Sequence, residues 1–150
     1  MIRVNEYTLA QVASNVCEVM LGLSFSPVLV RIADNHRLVA SVQISGESFA
    51  RVEIETVRDV ARCIASRMFS TEPEALDEAD LRDALGEVVN MVGGNLKGIL
   101  SGEFDLSLPT IEDREMPIPK SKDAVAVGVT CEGFPFVVRV VTSRSTTISA

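Results

Sequence analysis

Glu87 and Asn90 stand three residues apart within the stretch Asp83 to Leu100 (DALGEVVNMVGGNLKGIL), where apolar residues recur at helical spacing. Side chains at that spacing project the same way, about 4.5 Å apart along the axis, so a carboxylate and a carboxamide can engage one target together. They belong to a longer stripe, Asp83, Glu87, Asn90, Gly94 and Lys97, whose steps of 4, 3, 4 and 3 residues keep it on one side of the helix, opposite the core-facing positions. Such a face is presented to solvent or to a partner. The bare pattern is weak, because a shuffled chain of this composition contains about 0.4 E-x-x-N pairs. The same helix also carries Gly86, Gly93, Gly94 and Gly98, each costing about 1 kcal/mol relative to Ala. Close approach of another backbone, either an intramolecular helix or a docking protein, offsets that cost, and Gly86 and Gly94, which flank the polar stripe, favour the docking protein at those two positions.

Other chemistries find little support. The single histidine, His36, sits in Asp34-Asn35-His36-Arg37, a polar tip between two apolar runs that reads as a hairpin turn. One histidine without a dense carboxylate loop argues against a metal site, and no G-x-S-x-G elbow is present. Cys17, Cys63 and Cys131 form no C-x-x-C pair and leave an odd thiol in any disulfide scheme, which fits a reducing compartment, and Cys17 and Cys63, among apolar residues of helix-like segments, read as small buried core residues.

The elements that hold the stripe follow from composition and periodicity. The chain has 150 residues, 47% of them apolar, enough for one well-buried domain over residues 1–150. A net charge of −7 with scattered Lys and Arg gives no footprint for nucleic acid. The longest uncharged apolar run, Val19 to Val30, has 12 residues, short of the roughly 20 that span a bilayer, and MIRVNEYTLAQ lacks the order of a secretory signal. The expectation is a cytoplasmic protein with no membrane segment.

Thr8 to Leu23 reads as an amphipathic helix that Gly22 helps to end. Val28 to Ala33, Arg37 to Ser45 and Phe49 to Ile54 read as strands of an antiparallel meander. Thr56, with Asp59 three residues on, is placed to cap a second helix whose stripe is Val57, Val60, Ala61, Ile64, Ala65 and Met68. After Pro73, Leu76 to Leu100 is the longest helix. Phe104 to Leu108, Ala124 to Cys131 and Phe136 to Thr142 read as strands, Asp113 to Asp123 as an exposed connection, and Ser143 to Ala150 as a tail that frays. The class is α/β, of the α+β kind, with a helix-and-three-strand unit occurring twice.

Asp83 to Leu100, followed by Phe104 to Thr110 (FDLSLPT), resembles the signature helix and following strand of the CheC/CheX/FliY phosphatases of bacterial chemotaxis, and most resembles the single-site CheX branch. The first helix ending in Met20-Leu21-Gly22-Leu23, the helix Val57 to Phe69 and the acidic approach Thr71 to Asp80 (TEPEALDEAD) are similar as well. E-x-x-N-M-x-G-G-N within the expected helix is far more specific than E-x-x-N alone. The resemblance implies a CheC-like domain, in which duplicated helix plus three-stranded antiparallel units form a sheet packed by long helices.

It also implies an enzyme that hydrolyses the aspartyl phosphate of a phosphorylated CheY-like response regulator. The receiver domain supplies its own Mg²⁺, and this chain binds no cofactor. Asn90 would orient the attacking water, a task suited to an uncharged group that both accepts and donates hydrogen bonds. Glu87 would assist by docking on a receiver lysine, with Asp83, Gly94 and Lys97 as further partner contacts, and Asn95 and Pro109 would be structural. Ser14 to Glu18 does not reproduce the second E-x-x-N of CheC-type relatives, so one site per chain is expected. A homodimer formed by joining sheets is implied, with a strand such as Phe136 to Thr142 offering its edge. The competing readings are a catalytically silent receiver-binding adaptor and a purely structural dimer module using the same helix.

Overall fold

Residues alternate between two faces in the central strands, and this alternation determines which side of the sheet the helices cover. In the computed structural model, which describes residues 2–26, 37–115, 118 and 121–142, Arg37–Ser45 (β2) and Phe49–Thr56 (β3) pair in antiparallel register with Val42 opposite Val52. Leu38, Ala40, Val42 and Ile44 join Ala50, Val52 and Ile54, and Phe136, Val138 and Val140 of Phe134–Thr142 (β7), on one fully buried face. On the other face Arg37 pairs with Glu55 at 2.8 Å, and Arg139 reaches Glu53 at 3.1 Å and Glu55 at 2.8 Å. Arg37, Glu53 and Glu55 are buried and Arg139 is largely so, and their charges compensate one another, which is the condition under which buried ions are tolerated.

Phe25–Ser26 (β1), Asp105–Leu106 (β4), Thr110–Arg114 (β5) and Ala124–Cys131 (β6) complete a seven-stranded antiparallel sheet ordered β1-β6-β7-β3-β2-β4, with β5 also pairing β2. The two halves of the chain are interleaved. β1 of the first half pairs with β6 of the second, β5 of the second pairs with β2 of the first, and β3 and β7 meet at the centre. Glu6–Ser14 (α1) lies over β6 and β7, while Glu78–Ile99 (α3) lies over β2 and β3 with Arg58–Phe69 (α2) against it. Each half thus covers the other with its first helix.

Local chemistry sets the helix ends. Asn5 caps α1, its Oδ1 accepting from the Thr8 backbone N–H at 2.8 Å. A π-helical turn over Asn15–Met20 continues α1, and Gly22 at φ +64° lets the Leu23 N–H donate back to the Cys17 carbonyl at 2.7 Å, which ends the helix as expected. Asp77 and Asp80 form a reciprocal capping box at the start of α3, with bonds of 2.9 and 3.0 Å.

Several expectations are corrected. Thr56 does not cap α2. It ends β3, and its buried hydroxyl donates to the Pro135 carbonyl at 2.8 Å, leaving the N-cap position to Val57. The first two residues of the segment read as an exposed connection, Asp113 and Arg114, belong to β5, where they lie opposite Leu38 and Arg37. Its charges fit a strand paired along one side only. Phe136 to Thr142 offers no free edge, because β7 is hydrogen-bonded to β6 on one side and β3 on the other. The strand read at Val28 to Ala33, the turn at His36 and the tail at 143–150 lie outside the described residues.

The glycines of α3 divide by environment. A Cβ on Gly93 would lie 2.9 Å from both Val42 Cγ2 and Leu106 Cδ1, and one on Gly86 would lie 3.3 Å from Pro109 Cγ, whereas Gly94 and Gly98 face open space. Gly86 is therefore spent on internal packing, and its assignment to a docking partner is withdrawn. Gly93→Ala is expected to lower the unfolding free energy by about 1–2 kcal/mol, because stiff Val42 must yield in a packed core. Gly98→Ala is expected to raise it by up to about 1 kcal/mol. Urea denaturation of the two variants checks both signs.

Candidate active site

The buried side of α3, made by Leu81, Ala84, Leu85, Val88, Val89, Val92 and Leu96, turns the opposite side outward. Asp83, Glu87, Gly94 and Lys97 are exposed and Asn90 is half-buried, so the stripe read from the sequence forms one continuous ridge. Among the described residues, no hydrogen bond or ion pair engages the side chains of Asp83, Glu87, Asn90 or Lys97. Half-burial restricts the Asn90 carboxamide without consuming its donors and acceptor, and Glu87 stands one turn away as an unpaired carboxylate. That pair can receive a water and a cation from outside.

Three anchors fix the ridge. Along one flank, Pro109 sits against Gly86, and Leu106 with Val42 against Gly93. On the other, Asn95 Nδ2 donates to the Met91 carbonyl at 2.8 Å, and Asn95 Oδ1 accepts from Asn15 Nδ2 at 2.9 Å, tying α3 to the π-helical turn of the first helix. Asn95 is thus occupied inside the fold, and the asparagine of the first helix is used to hold it. At the N-terminal end, Arg58 binds Glu78 through bonds of 3.1 and 2.8 Å and Asp113 at 2.9 Å, while Arg82 binds Asp113 and the Ile111 carbonyl. This cluster joins α2, the first turns of α3 and β5.

The hydrogen bond from Arg58, with the added charge of Arg82, holds the Glu78 carboxyl below its ordinary range. For Asp113, partial burial opposes ionisation, but hydrogen bonds and charge from Arg58 and Arg82 prevail and its carboxyl is also lowered. Both groups serve the scaffold.

Beside the ridge an open groove of about 500 Å³ is lined by Phe69, Gly86, Pro109 and Ile111 together with the charged Arg82, Asp83 and Glu87. Leu108, which lines a separate hollow with Ser41, Gln43 and Thr110, is 87% exposed. Neither Phe69 nor Leu108 carries a sequence signal for a surface role, since each sits in a segment read for its regular structure. The thiols lie elsewhere: Cys17 and Cys131 are buried, and the neighbouring Cys131 thiol together with burial raises the Cys17 thiol above its ordinary range. Among the described residues, no group of three or more His, Cys, Asp or Glu is placed to hold a metal ion, and no helix is long and apolar enough to cross a membrane.

The family described as "Chemotaxis phosphatase CheX" matches residues 38–132, which include all of α3 and the strands that seat it. The chain belongs to the CheX family. No curated protein matches the sequence. Among solved structures, CheX of Vibrio vulnificus superposes with a TM-score of 0.72 at 18% identity, covering 90% of this chain and 93% of that one. The CheX–CheY–BeF₃–Mg²⁺ complex of Borrelia burgdorferi gives a TM-score of 0.69 at 19% identity, covering 95% and 100%. FliY of Thermotoga maritima gives 0.59 at 17% identity, covering 95% and 93%. At these identities the likeness is one of fold, and the mixed helix and antiparallel-sheet architecture of CheX and CheC-like proteins is the one seen here.

The anchoring cluster of this CheX-family chain predicts a pH dependence. Because the folded Glu78 and Asp113 carboxyls titrate below their reference values of 4.5 and 3.8, the stability they contribute is present above those values and is lost as pH falls through the lower folded ones. Urea unfolding followed from pH 7 down to pH 3 is expected to show this loss, and the double variant Glu78→Gln, Asp113→Asn is expected to flatten that part of the profile.

Proposed function

We propose that this chain hydrolyses the aspartyl phosphate of a CheY-like receiver domain, with Asn90 orienting the attacking water and Glu87 docking on a receiver lysine. The observation that carries this reading is the Glu87–Asn90 pair itself, side by side and outward on a helix held from three directions, with neither side chain engaged inside the fold. Family membership supplies the phosphatase class, and the complex of the Borrelia relative with CheY supports the partner class.

The chemistry needs little from this side. Water attacks phosphorus in line, the bond from phosphorus to the aspartyl oxygen breaks, and the products are inorganic phosphate and the free receiver carboxylate. The receiver's Mg²⁺ offsets charge on the phosphoryl group, and this chain offers no ligand to it. Asn90 accepts a hydrogen bond from the water through Oδ1 and donates through Nδ2 to a phosphoryl oxygen, which fixes the line of approach without adding negative charge. Ordering one reactant in this way lowers a barrier by several kcal/mol. Glu87, about 4.5 Å along the axis, holds the receiver in register through its lysine.

Gly94, whose missing Cβ faces open space, lets the receiver backbone come close one turn beyond Asn90, and Asp83 and Lys97 meet the rim of the interface. The protein acts in the cytoplasm, where receiver domains are phosphorylated. A homodimer joined through its sheets would use an edge other than β7.

Asn90→Ala is expected to slow phosphate release from a phosphorylated CheY-type receiver with Mg²⁺ by at least about 100-fold, equivalent to about 2.7 kcal/mol, with affinity for the receiver kept within about threefold. Glu87→Ala is expected to weaken binding. A wild-type chain that binds phosphorylated receivers without accelerating their decay would establish the adaptor reading instead.

A further inference from the structure

The first helix departs from regular α geometry where it meets α3. Over Asn15–Met20 it widens into a π-turn, in which the Leu21 N–H donates to the Val16 carbonyl, five residues back, at 3.0 Å. In an α-helix, side chains five residues apart diverge by about 140° around the axis. The wider turn brings them back toward one side. Asn15 and Met20 therefore face a common target, with Asn15 Nδ2 3.8 Å from Met20 Sδ.

That target is Asn95. Asn15 Nδ2 donates to Asn95 Oδ1 at 2.9 Å, and Asn95 Nδ2 donates to the Met91 carbonyl at 2.8 Å and to Met20 Sδ, a weak acceptor, at 3.8 Å. Both ends of the Asn95 carboxamide are thus engaged inside the fold. The result is a clamp on the turn from Met91 to Asn95, which begins at the residue after Asn90.

This turn has reason to be clamped. Gly93 and Gly94 stand side by side in it and Gly98 follows one turn on, so its backbone is weakly committed to helix. The packing of Gly93 against Val42 and Leu106 holds one flank. Among the described residues, the side-chain hydrogen bonds that tie the half of α3 beyond Asn90 to another element are those of Asn95.

We propose that Asn15 and Asn95 are positioning residues for the hydrolytic step, their clamp fixing the turn after Asn90 and through it the line along which the Asn90 carboxamide holds the attacking water. This rests on the phosphatase reading. Neither residue touches a reacting atom. A carboxamide that works by orientation is sensitive to its placement, since a displacement of about 1 Å costs about 100-fold in rate. Affinity draws on contacts along the whole ridge, from Asp83 to Lys97, and depends less on one turn.

The test is steady-state phosphate release from a CheY-type receiver kept phosphorylated by acetyl phosphate with Mg²⁺, measured for Asn15→Ala, Asn95→Ala and the isosteric Asn95→Asp. Asn95→Asp keeps the shape and an acceptor for Asn15 but sets an oxygen against the Met91 carbonyl, so packing is retained while that bond is lost. In all three, kcat is expected to fall about tenfold, with KM and the dissociation constant for the BeF₃-activated receiver within about twofold. The double variant Asn15→Ala, Asn95→Ala is expected to lose no more than Asn95→Ala alone, because the two residues act as one unit. In an Asn90→Ala background none of these changes should slow release further. Unchanged kcat in Asn95→Asp, a loss confined to KM, or an equal further loss in the Asn90→Ala background overturns the proposal while leaving the phosphatase reading intact. So does unfolding of Asn95→Asp below the assay temperature, which would make the pair an element of stability alone. A wild-type chain that accelerates the decay of no CheY-type receiver overturns both.

Discussion

The seat of α3 on the sheet governs everything presented on its outer side. At Gly93 the helix backbone comes so close to Val42 and Leu106 that a Cβ would lie 2.9 Å from each, and at Gly86 it leaves 3.3 Å to Pro109. Two such contacts, two turns apart, fix both the axial position and the rotation of the helix. A slip of one residue would turn the helix by about 100° and carry Asn90 off the outer face. The conformational cost of glycine in a helix is offset by this close packing, and the Glu87–Asn90 ridge takes its orientation from it.

The remaining contacts hold the seat against tilting. The capping box at Asp77 and Asp80, the Arg58–Glu78–Arg82–Asp113 cluster and the Asn15–Asn95 pair restrain the two ends and the far flank of the helix. None touches the ridge side chains. The division of labour suits the proposed reaction, in which this chain supplies orientation and the electrophile belongs to another protein, since a carboxamide on a rigid helix loses little further freedom when a partner arrives. The exchange of strands between the two halves adds to the rigidity, because β2 beneath α3 is bordered by β3 from its own half and by β4 and β5 from the other.

The sequence makes the ridge legible because helical periodicity is strong over the whole of α3, and β2 and β6 begin and end where alternation and turn residues place them. Membership of a CheX-like fold was legible from E-x-x-N-M-x-G-G-N and the segments around it. The failures have a common origin in tertiary contacts. Thr56 has the side chain of a helix cap, but the Pro135 carbonyl claims its hydroxyl in the core. β5 is rich in charge, so its strand character depends on β2 as template. The position of β7 in the middle of the sheet depends on strand order, which local patterning does not encode. Gly86 looked like Gly94 from its place beside the stripe, and only the presence of Pro109 against one and open space beside the other separates them.

The most direct measurement is the map of backbone amide shifts in this chain on titration with a CheY-type receiver activated by BeF₃ and Mg²⁺. Perturbations centred on Glu87 and Asn90 and extending over Asp83 to Lys97 are predicted, with Arg51, Glu53 and Arg139 on the opposite face of the sheet unaffected. Perturbations gathered on that opposite face, with the ridge silent, would contradict the account.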